Sequence, residues 1–385
     1  MIYRQILVLS VVPHILAFSL GAWLTGCTAA PRSTNGPDIQ SKPRESREVK
    51  SPSFIPTPKK WKLQQSGAKV NLTRVHFVDA EYGWVVGEAG TIIHTTDGGM
   101  TWVEQTSNTD IGLLDVCFLD RNTGWITGGG FTDRRPYSIL LYTKDGGITW
   151  EKKEATQSEA LWRLRFVDAE NGWRIGQDEN DDGLIAHTTD GGISWNYSRI
   201  PKDSIDKRGS VINEADFVNA QEGWAVGDFV IHHTLDGGAT WETQYVMNVD
   251  PLKFYRIGSV QFLNNQIGCV SGSNDGDTGY LTGIVRTTDG GKSWTESHTQ
   301  LPLTKLHFFD SEVGIGIGRA VPPNYPGDLG YGRRRDGVIM LTTDSGKTWR
   351  EVYRVSDKPF SDVFFTKDGY GWAVGDKGII LRYKP

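Results

Sequence analysis

The chain has 385 residues, a formal net charge of −5, 46 glycines, 14 tryptophans and 3 cysteines. That length admits two ordinary domains or one large all-β domain. The acidic balance argues against nucleic-acid binding, and three scattered cysteines make neither a disulfide framework nor a zinc site.

Residues 1–26 carry one early basic residue, Arg4, then an apolar run from Ile6, then LTGC at 24–27. This pattern predicts a lipoprotein signal peptide, with the Cys27 thiol acylated after cleavage. Residues 27–60 are rich in Pro, Ser and charge and show no apolar periodicity, so they predict a disordered tether behind the lipidated cysteine. The tether from 28 to 60 holds seven basic and three acidic residues, whereas 61–385 holds 33 basic and 43 acidic. A basic tether beneath an acidic body suits attachment to an anionic bilayer surface, although a merely solvated linker would look the same. Cys117 and Cys269, 152 residues apart, are expected to be buried and reduced.

From residue 72 onward two motifs alternate. The first is F-x-x-x-x-x-G-W-x-x-G, beginning at Phe77, Phe118, Phe166, Phe217 and Phe365. Two further copies, at Phe262 and Phe308, place Cys269 and Ile315 where the Trp would stand. The second motif is T-x-D-G-G-x-T-W, centred on Asp97, Asp145, Asp190, Asp236, Asp289 and Asp344 and ending at Trp102, Trp150, Trp195, Trp241, Trp294 and Trp349. The Gly-Trp copies are spaced 41 to 57 residues apart, a period that indicates a propeller or solenoid. Each unit reads as four short strands: one ending at the Phe, one opening at Gly-Trp, an apolar third, and a fourth opening at the octapeptide Trp. The expected fold is an all-β, seven-bladed β-propeller with four-stranded blades over 61–385.

The octapeptide reads as a tight turn between third and fourth strands. Its glycines supply backbone angles unfavourable for other residues, and its Asp and Thr can bond the turn's own backbone. This is the Asp box, or bacterial neuraminidase repeat, and its six aspartates and tryptophans are expected to be structural. Seven Gly-Trp units meet only six boxes, and GIILRYKP at 378–385 stops before a fourth strand. Residues 61–66, WKLQQS, resemble WVEQTS at 102–107 and are expected to close the ring by pairing in the last blade. Trp23 and Trp162 alone among the tryptophans then lie outside repeat positions.

Function is expected where the repeat is broken. The loops between second and third strands are long at 128–138, 176–183, 272–280 and 318–337, and binding residues favour such loops. The last of these holds Tyr331, Arg333, Arg334 and Arg335, and the first holds Arg134 and Arg135. Guanidinium groups suit carboxylates and phosphates, so an anionic or peptide partner is expected there. DENDDG at 178–183 imitates half a calcium loop through Asp178, Asn180 and Asp182, but the twelfth position is Thr189 rather than Glu. No metal or other cofactor is expected. Three residues before each repeat Phe stand Arg74, Asp115, Arg163, Glu214, Ser259, Lys305 and Asp362. Their alternating signs predict ion pairs between neighbouring innermost strands. A glycoside hydrolase or carbohydrate-binding propeller of sialidase type is the alternative reading, because Asp boxes are common there. YRIG at 255–258 is the nearest approach to the sialidase Arg motif, and it lacks the Pro.

Seven modules of this combined type, behind a lipobox signal, resemble the photosystem II assembly and stability factor family of cyanobacteria and plastids, over about residues 61–385. The resemblance implies a monomeric, non-enzymatic chaperone on the periplasmic or thylakoid-lumen side. It would be anchored to the bilayer by its N-terminal lipid and would hold a membrane protein or its precursor segment through an arginine-rich patch. The candidates for that patch are Arg333, Arg334 and Arg335, with Arg134, Arg135 and Tyr331 beside them.

Overall fold

The computed structural model describes residues 56–57, 60–133, 135–156, 159–200, 211–227, 230–246, 255–274, 281–299, 303–320 and 335–385. Cys27, the signal and most of the tether lie outside this set, as do Arg134, Tyr331, Arg333 and Arg334. Among the described residues seven sheets of four antiparallel strands are present, six of them formed from four consecutive strands and the seventh from the last three strands and the first. The first blade consists of Leu72–Phe77, Gly83–Gly87, Ile92–Thr95 and Val103–Gln105. In the seventh, Trp61–Gln64 pairs antiparallel with Ile380–Tyr383, with Trp61 opposite Tyr383 and Gln64 opposite Ile380. The expected closure is therefore observed, in a strand two residues shorter than the sequence suggested.

The spacing F-x5-G has a steric cause. Phe77 faces Gly83 across the first hairpin, and its ring covers the glycine so closely that a Cβ there would lie 2.3 Å from it. The same holds at Gly124, Gly172, Gly223, Gly268, Gly314 and Gly371. The next residue, Trp, then stacks on the Phe of the following blade. Trp84 lies 3.5 Å from Phe118, Trp173 3.6 Å from Phe217, Trp224 3.5 Å from Phe262, and Trp372 3.5 Å from Phe77. Each Phe also receives the edge of its own blade's octapeptide Trp, as in Phe118–Trp150 at 5.9 Å, and Trp61 supplies that edge to Phe365 at 5.9 Å. Such aromatic pairs contribute about 0.5–1.5 kcal/mol each beyond area burial. The buried clusters accordingly lie between blades, joining Trp84 and Ile92 to Phe118 and Ile126, for example.

At Cys269, one of the two positions where the Trp is missing, the contact is rebuilt. Arg286, opposite Cys269 in the fifth blade, sets its guanidinium 5.3 Å from the centre of the Phe308 ring. It also donates to the carbonyls of Ser345 (2.8 Å) and Ser311 (2.7 Å) in the sixth blade. This matches the Trp role, since Trp84 Nε1 donates to Gly146 O of the next box (3.1 Å). Cys117 and Cys269 are buried free thiols whose pKa burial pushes up to about 12.

The Asp boxes are closed hydrogen-bond circuits. Thr95 Oγ1 donates to Asp97 Oδ1 (2.8 Å) and accepts from Gly99 N (2.8 Å). Asp97 also accepts from Thr101 N (2.9 Å) and Thr101 Oγ1 (2.6 Å). Asp145, Asp190, Asp236, Asp289 and Asp344 accept in the same way from the hydroxyl four residues on. Gly98 and Gly99 sit at φ of 70° and 90°, where glycine is favoured. In the sixth box Ser345 takes this conformation at φ 68°, with its hydroxyl donating to Ser311 O (2.8 Å).

The hydroxyls of Thr149, Ser194 and Ser293, followed by the amides of the same residues, lower Asp145, Asp190 and Asp289 to about 2. Asp97 reaches about 2 as well, because Thr101 and Thr95 override its slight burial. A depressed carboxyl pKa stabilises the fold above about pH 4, where unfolded aspartate is also ionised, and that contribution is lost as pH falls toward 2. The melting temperature is therefore expected to be insensitive to the boxes between pH 7 and 5. It should fall steeply between about pH 4 and 2 in a circular-dichroism pH series. A drop centred near neutrality would contradict this assignment.

Candidate functional site at the channel mouth

Strand direction gives the ring two faces. The boxes and the turns between first and second strands occupy one, here the box face. The hairpins between second and third strands and the blade connections occupy the other, the loop face. The first strand of every blade carries a bulge just inside the loop face, for example between Leu72 and Arg74 and between Leu161 and Arg163. The closing glycine of the Gly-Trp motif makes room for it: a Cβ on Gly176 would lie 1.8 Å from Ala160 O, and on Gly227 1.9 Å from Val211 O. A bulge re-aims the residue that follows it. Here those residues are Arg74, Asp115, Arg163, Glu214, Ser259, Lys305 and Asp362, and all but Ser259 line a channel of about 280 Å3.

The alternating charges meet, but not only between neighbours. Arg74 contacts Asp362 (3.2 Å) and Asp115 (3.5 Å) on the adjoining blades, as expected. It also reaches Glu214, three blades away, at 3.7 Å. Glu214 pairs with Lys305, past the blade that carries Ser259. The channel is narrow enough for long side chains to span it, which corrects the neighbour-only expectation. The carboxylates also cap backbone: Val75 N donates to Asp362 (3.1 Å) and Leu164 N to Asp115 (3.0 Å). Burial works against the charge of Arg74, but Asp362, Asp115 and Glu214 outweigh it and raise its pKa. Two residues further along the same strands, burial lowers the His76 and His307 pKa values to about 4, so both are neutral near pH 7. These paired charges, neutral imidazoles and protonated thiols form a scaffold; none of them is an activated nucleophile or base.

Above the ring, at the loop face, lies a depression of about 710 Å3. Its floor is made by bulge residues Leu114, Trp162, Asn213 and Gly258, and its wall includes Phe131, Tyr137 and Gln177. Trp162 Nε1 donates to Asn213 O (3.3 Å), which holds the indole across two blades. Arg163 Nη1 donates to Trp162 O (3.3 Å), but its Nε is buried with no hydrogen-bond partner among the described residues. Burial and the nearby Arg74 lower the Arg163 pKa. Arg163 also lines this depression, so its guanidinium suits an acceptor there, and the aromatic surround favours an apolar side chain. An extended peptide presenting a carboxylate or carbonyl beside an apolar residue would satisfy both.

Of the sequence candidates, Arg135 stands exposed where Arg135–Thr143 begins, opposite Thr132, and Arg335 stands half-buried just before Asp336–Thr342. Both lie at second-to-third-strand hairpins and so on the loop face with the depression. The carboxylate of Asp178 is already engaged, accepting from Asn180 N (2.8 Å), Asp182 N (3.1 Å) and Arg199 Nε (3.0 Å). No cluster able to hold a metal ion occurs among the described residues. Trp162, which lines the depression, is not among the sequence candidates, although its position outside the repeat is an available signal.

A protein-family model described as "Photosynthesis system II assembly factor YCF48" matches residues 55–111, 105–205 and 204–305. A curated relative, the "Photosystem II assembly lipoprotein Ycf48" of Synechococcus sp. (strain CC9902), is 25% identical over 202 residues. The aligned stretch spans 52% of this chain and 52% of that relative, so the chain spans about half the length of this curated relative. A solved structure described as "YCF48 bound to D1 peptide" matches with a TM-score of 0.59 at 20% identity, covering 85% of this chain and 97% of that one. Another, "YCF48 from Cyanidioschyzon merolae", matches with a TM-score of 0.62 at 16% identity, over 84% and 98%. The structural likenesses agree with the propeller fold seen in the seven sheets, and the family match spans well over half of the residues; the chain belongs to the photosystem II assembly factor YCF48 family.

Proposed function

We propose that this protein is a non-enzymatic assembly factor whose propeller holds an extramembrane segment of a photosystem II reaction-centre subunit. The family match over 55–305 carries the reading. A relative bound to a D1 peptide makes a segment of that type the favoured partner. Family placement, and not any missing group, sets the glycosidase alternative aside. In this reading residues 1–26 are the export signal and Cys27 is acylated. Residues 27–60 tether a monomeric propeller, 61–385, on the periplasmic or thylakoid-lumen side. The partner contacts Trp162 and Arg163 in the depression and Arg135 and Arg335 on the same face, and the sequence candidates Arg134, Tyr331, Arg333 and Arg334 belong to the same proposed site.

Cross-linked affinity purification from membranes tests this. The double variant Trp162→Ala/Arg163→Gln is expected to reduce recovery of the partner by about tenfold or more, since a buried Trp and an Arg are typical binding hot spots. Changing Arg333, Arg334 and Arg335 to Glu should reduce recovery as well. Undiminished recovery with the double variant would remove the depression from the site, and undiminished recovery with the triple variant would remove the arginine patch.

A further inference from the structure

The four most exposed large apolar residues among those described are Ile193 (86%), Ile148 (83%), Met100 (70%) and Leu235 (68%). All four stand at the tips of Asp boxes, in four consecutive blades. Met100, Ile148 and Ile193 occupy the sixth octapeptide position and Leu235 the second. The boxes of the fifth and sixth blades carry exposed Lys292 and Lys347 at that sixth position. In the seventh blade, exposed Lys60 stands immediately before Trp61. The rim of the box face is thus an arc of apolar tips completed by lysines. Nothing in the turn requires an apolar residue there, because the circuits are closed by Thr, Asp, Gly and the following hydroxyl. An exposed apolar array of this kind marks a contact surface.

We propose that this rim is a bilayer-contacting surface, with the apolar tips of the first four blades inserted at the interface and the lysines at headgroup level. The proposal rests on the lipoprotein reading for its setting. The tether joins the propeller at Trp61, which pairs with Tyr383 at the box-face end of the last blade. The 33 residues from 28 to 60 can reach at most about 110 Å, so tether length alone permits either face toward the membrane. The apolar tips favour the box face, where among the described residues the four most exposed large apolar side chains stand, suited to partial insertion while lysine stems and ammonium groups remain wet. Exposed Glu81, Asp120 and Glu170 lie in turns of the same face beside exposed Arg121 and Lys144, so the charge over the apolar arc is mixed and insertion supplies most of the binding. The depression and the arginines then face away from the bilayer, toward segments that protrude from it.

Vesicle flotation of the mature chain carrying Cys27→Ser, which has no lipid, tests the surface alone. The probe is a vesicle containing equal phosphatidylcholine and phosphatidylglycerol. The unlipidated chain should float, and Met100→Ser/Ile148→Ser/Ile193→Ser should lower the bound fraction by about tenfold or more. Val246→Ser, at an exposed position beyond the box face, should bind as the parent does. An unchanged near-ultraviolet spectrum confirms that the triple variant is folded. Equal binding by parent and triple variant, or no binding by the parent, would overturn the proposal. A parent that self-associates through these tips without binding vesicles would overturn it too, in favour of an interface between copies. Mass spectrometry of Cys27 is read separately: an unacylated cysteine would sink the lipoprotein reading while the flotation result stood.

Discussion

Trp61→Ala is expected to destabilise the propeller by about 3–5 kcal/mol, the range for removing a buried aromatic side chain. Trp61 is 5% exposed. Its ring meets Phe365 edge-on at 5.9 Å and Tyr383 at 5.3 Å, within a cluster that includes Val363 and Leu381. The same change at an octapeptide Trp would loosen one blade. At Trp61 it loosens the strand that seals the ring, so the edge of Ile380–Tyr383 becomes available for pairing with other chains. Urea denaturation should show the lost stability, and light scattering should show concentration-dependent association. Deleting the chain through Gln64 should enhance both effects. A variant with parental stability and no association would mean that the last blade holds with three strands.

Arg74→Met is expected to have an effect of similar size by a different route. Arg74 sits among Asp362, Asp115 and Glu214, all three buried. Removing one partner of a buried ionic network leaves uncompensated charge and costs about 3–5 kcal/mol. Burial alone would raise the Glu214 pKa, and Lys305, Arg74 and Arg163 bring it below the usual value. Without Arg74 the Glu214 and Asp362 carboxyls, both of which burial pushes up and Arg74 holds down, are driven upward relative to the unfolded chain. The resulting penalty is complete above their folded pKa values and fades as pH falls toward about 4, where they bind protons in both states. Stability relative to the parent should thus be worst at pH 7 and partly recovered at pH 5, by urea denaturation at each. Asp362→Asn added to Arg74→Met should also recover part of the loss. A pH-independent deficit would show that packing, not charge, explains the role of Arg74.

Much of the ring was legible from local spacing. Phe, Gly and Trp recur because one ring must lie over a glycine and another must reach the next blade, and both demands act within one hairpin or between adjacent ones. The missing fourth strand was legible by counting, and Trp61 identified its replacement. What happens at departures from the repeat was less legible. Cys269 marked a lost Trp, but that Arg286 would stack on Phe308 and bond the next box depends on which side chain faces Cys269 across the sheet. Nor did the repeat announce the latches from the outer strands to the next box, such as Gln64 Nε2 to Gly98 O (3.2 Å), Gln105 Nε2 to Gly146 O (2.9 Å) and Ser198 Oγ to Gly238 O (2.6 Å).

The amino-acid sequence by itself determined the blade count, the strand order, the closure and the structural role of the six box aspartates. These follow from periodicity, turn chemistry and sterics that operate within one repeat. The tertiary structure alone decided that Arg74 and Lys305 reach Glu214 on blades not next to their own, because that depends on the width of the closed channel. It alone showed that Trp162 lines the depression while Arg163 borders both the depression and the channel, because a bulge sets the two at different angles to the ring. It also brought Met100, Ile148, Ile193 and Leu235 onto one rim, because residues tens of positions apart become neighbours only when the sheets close into a circle.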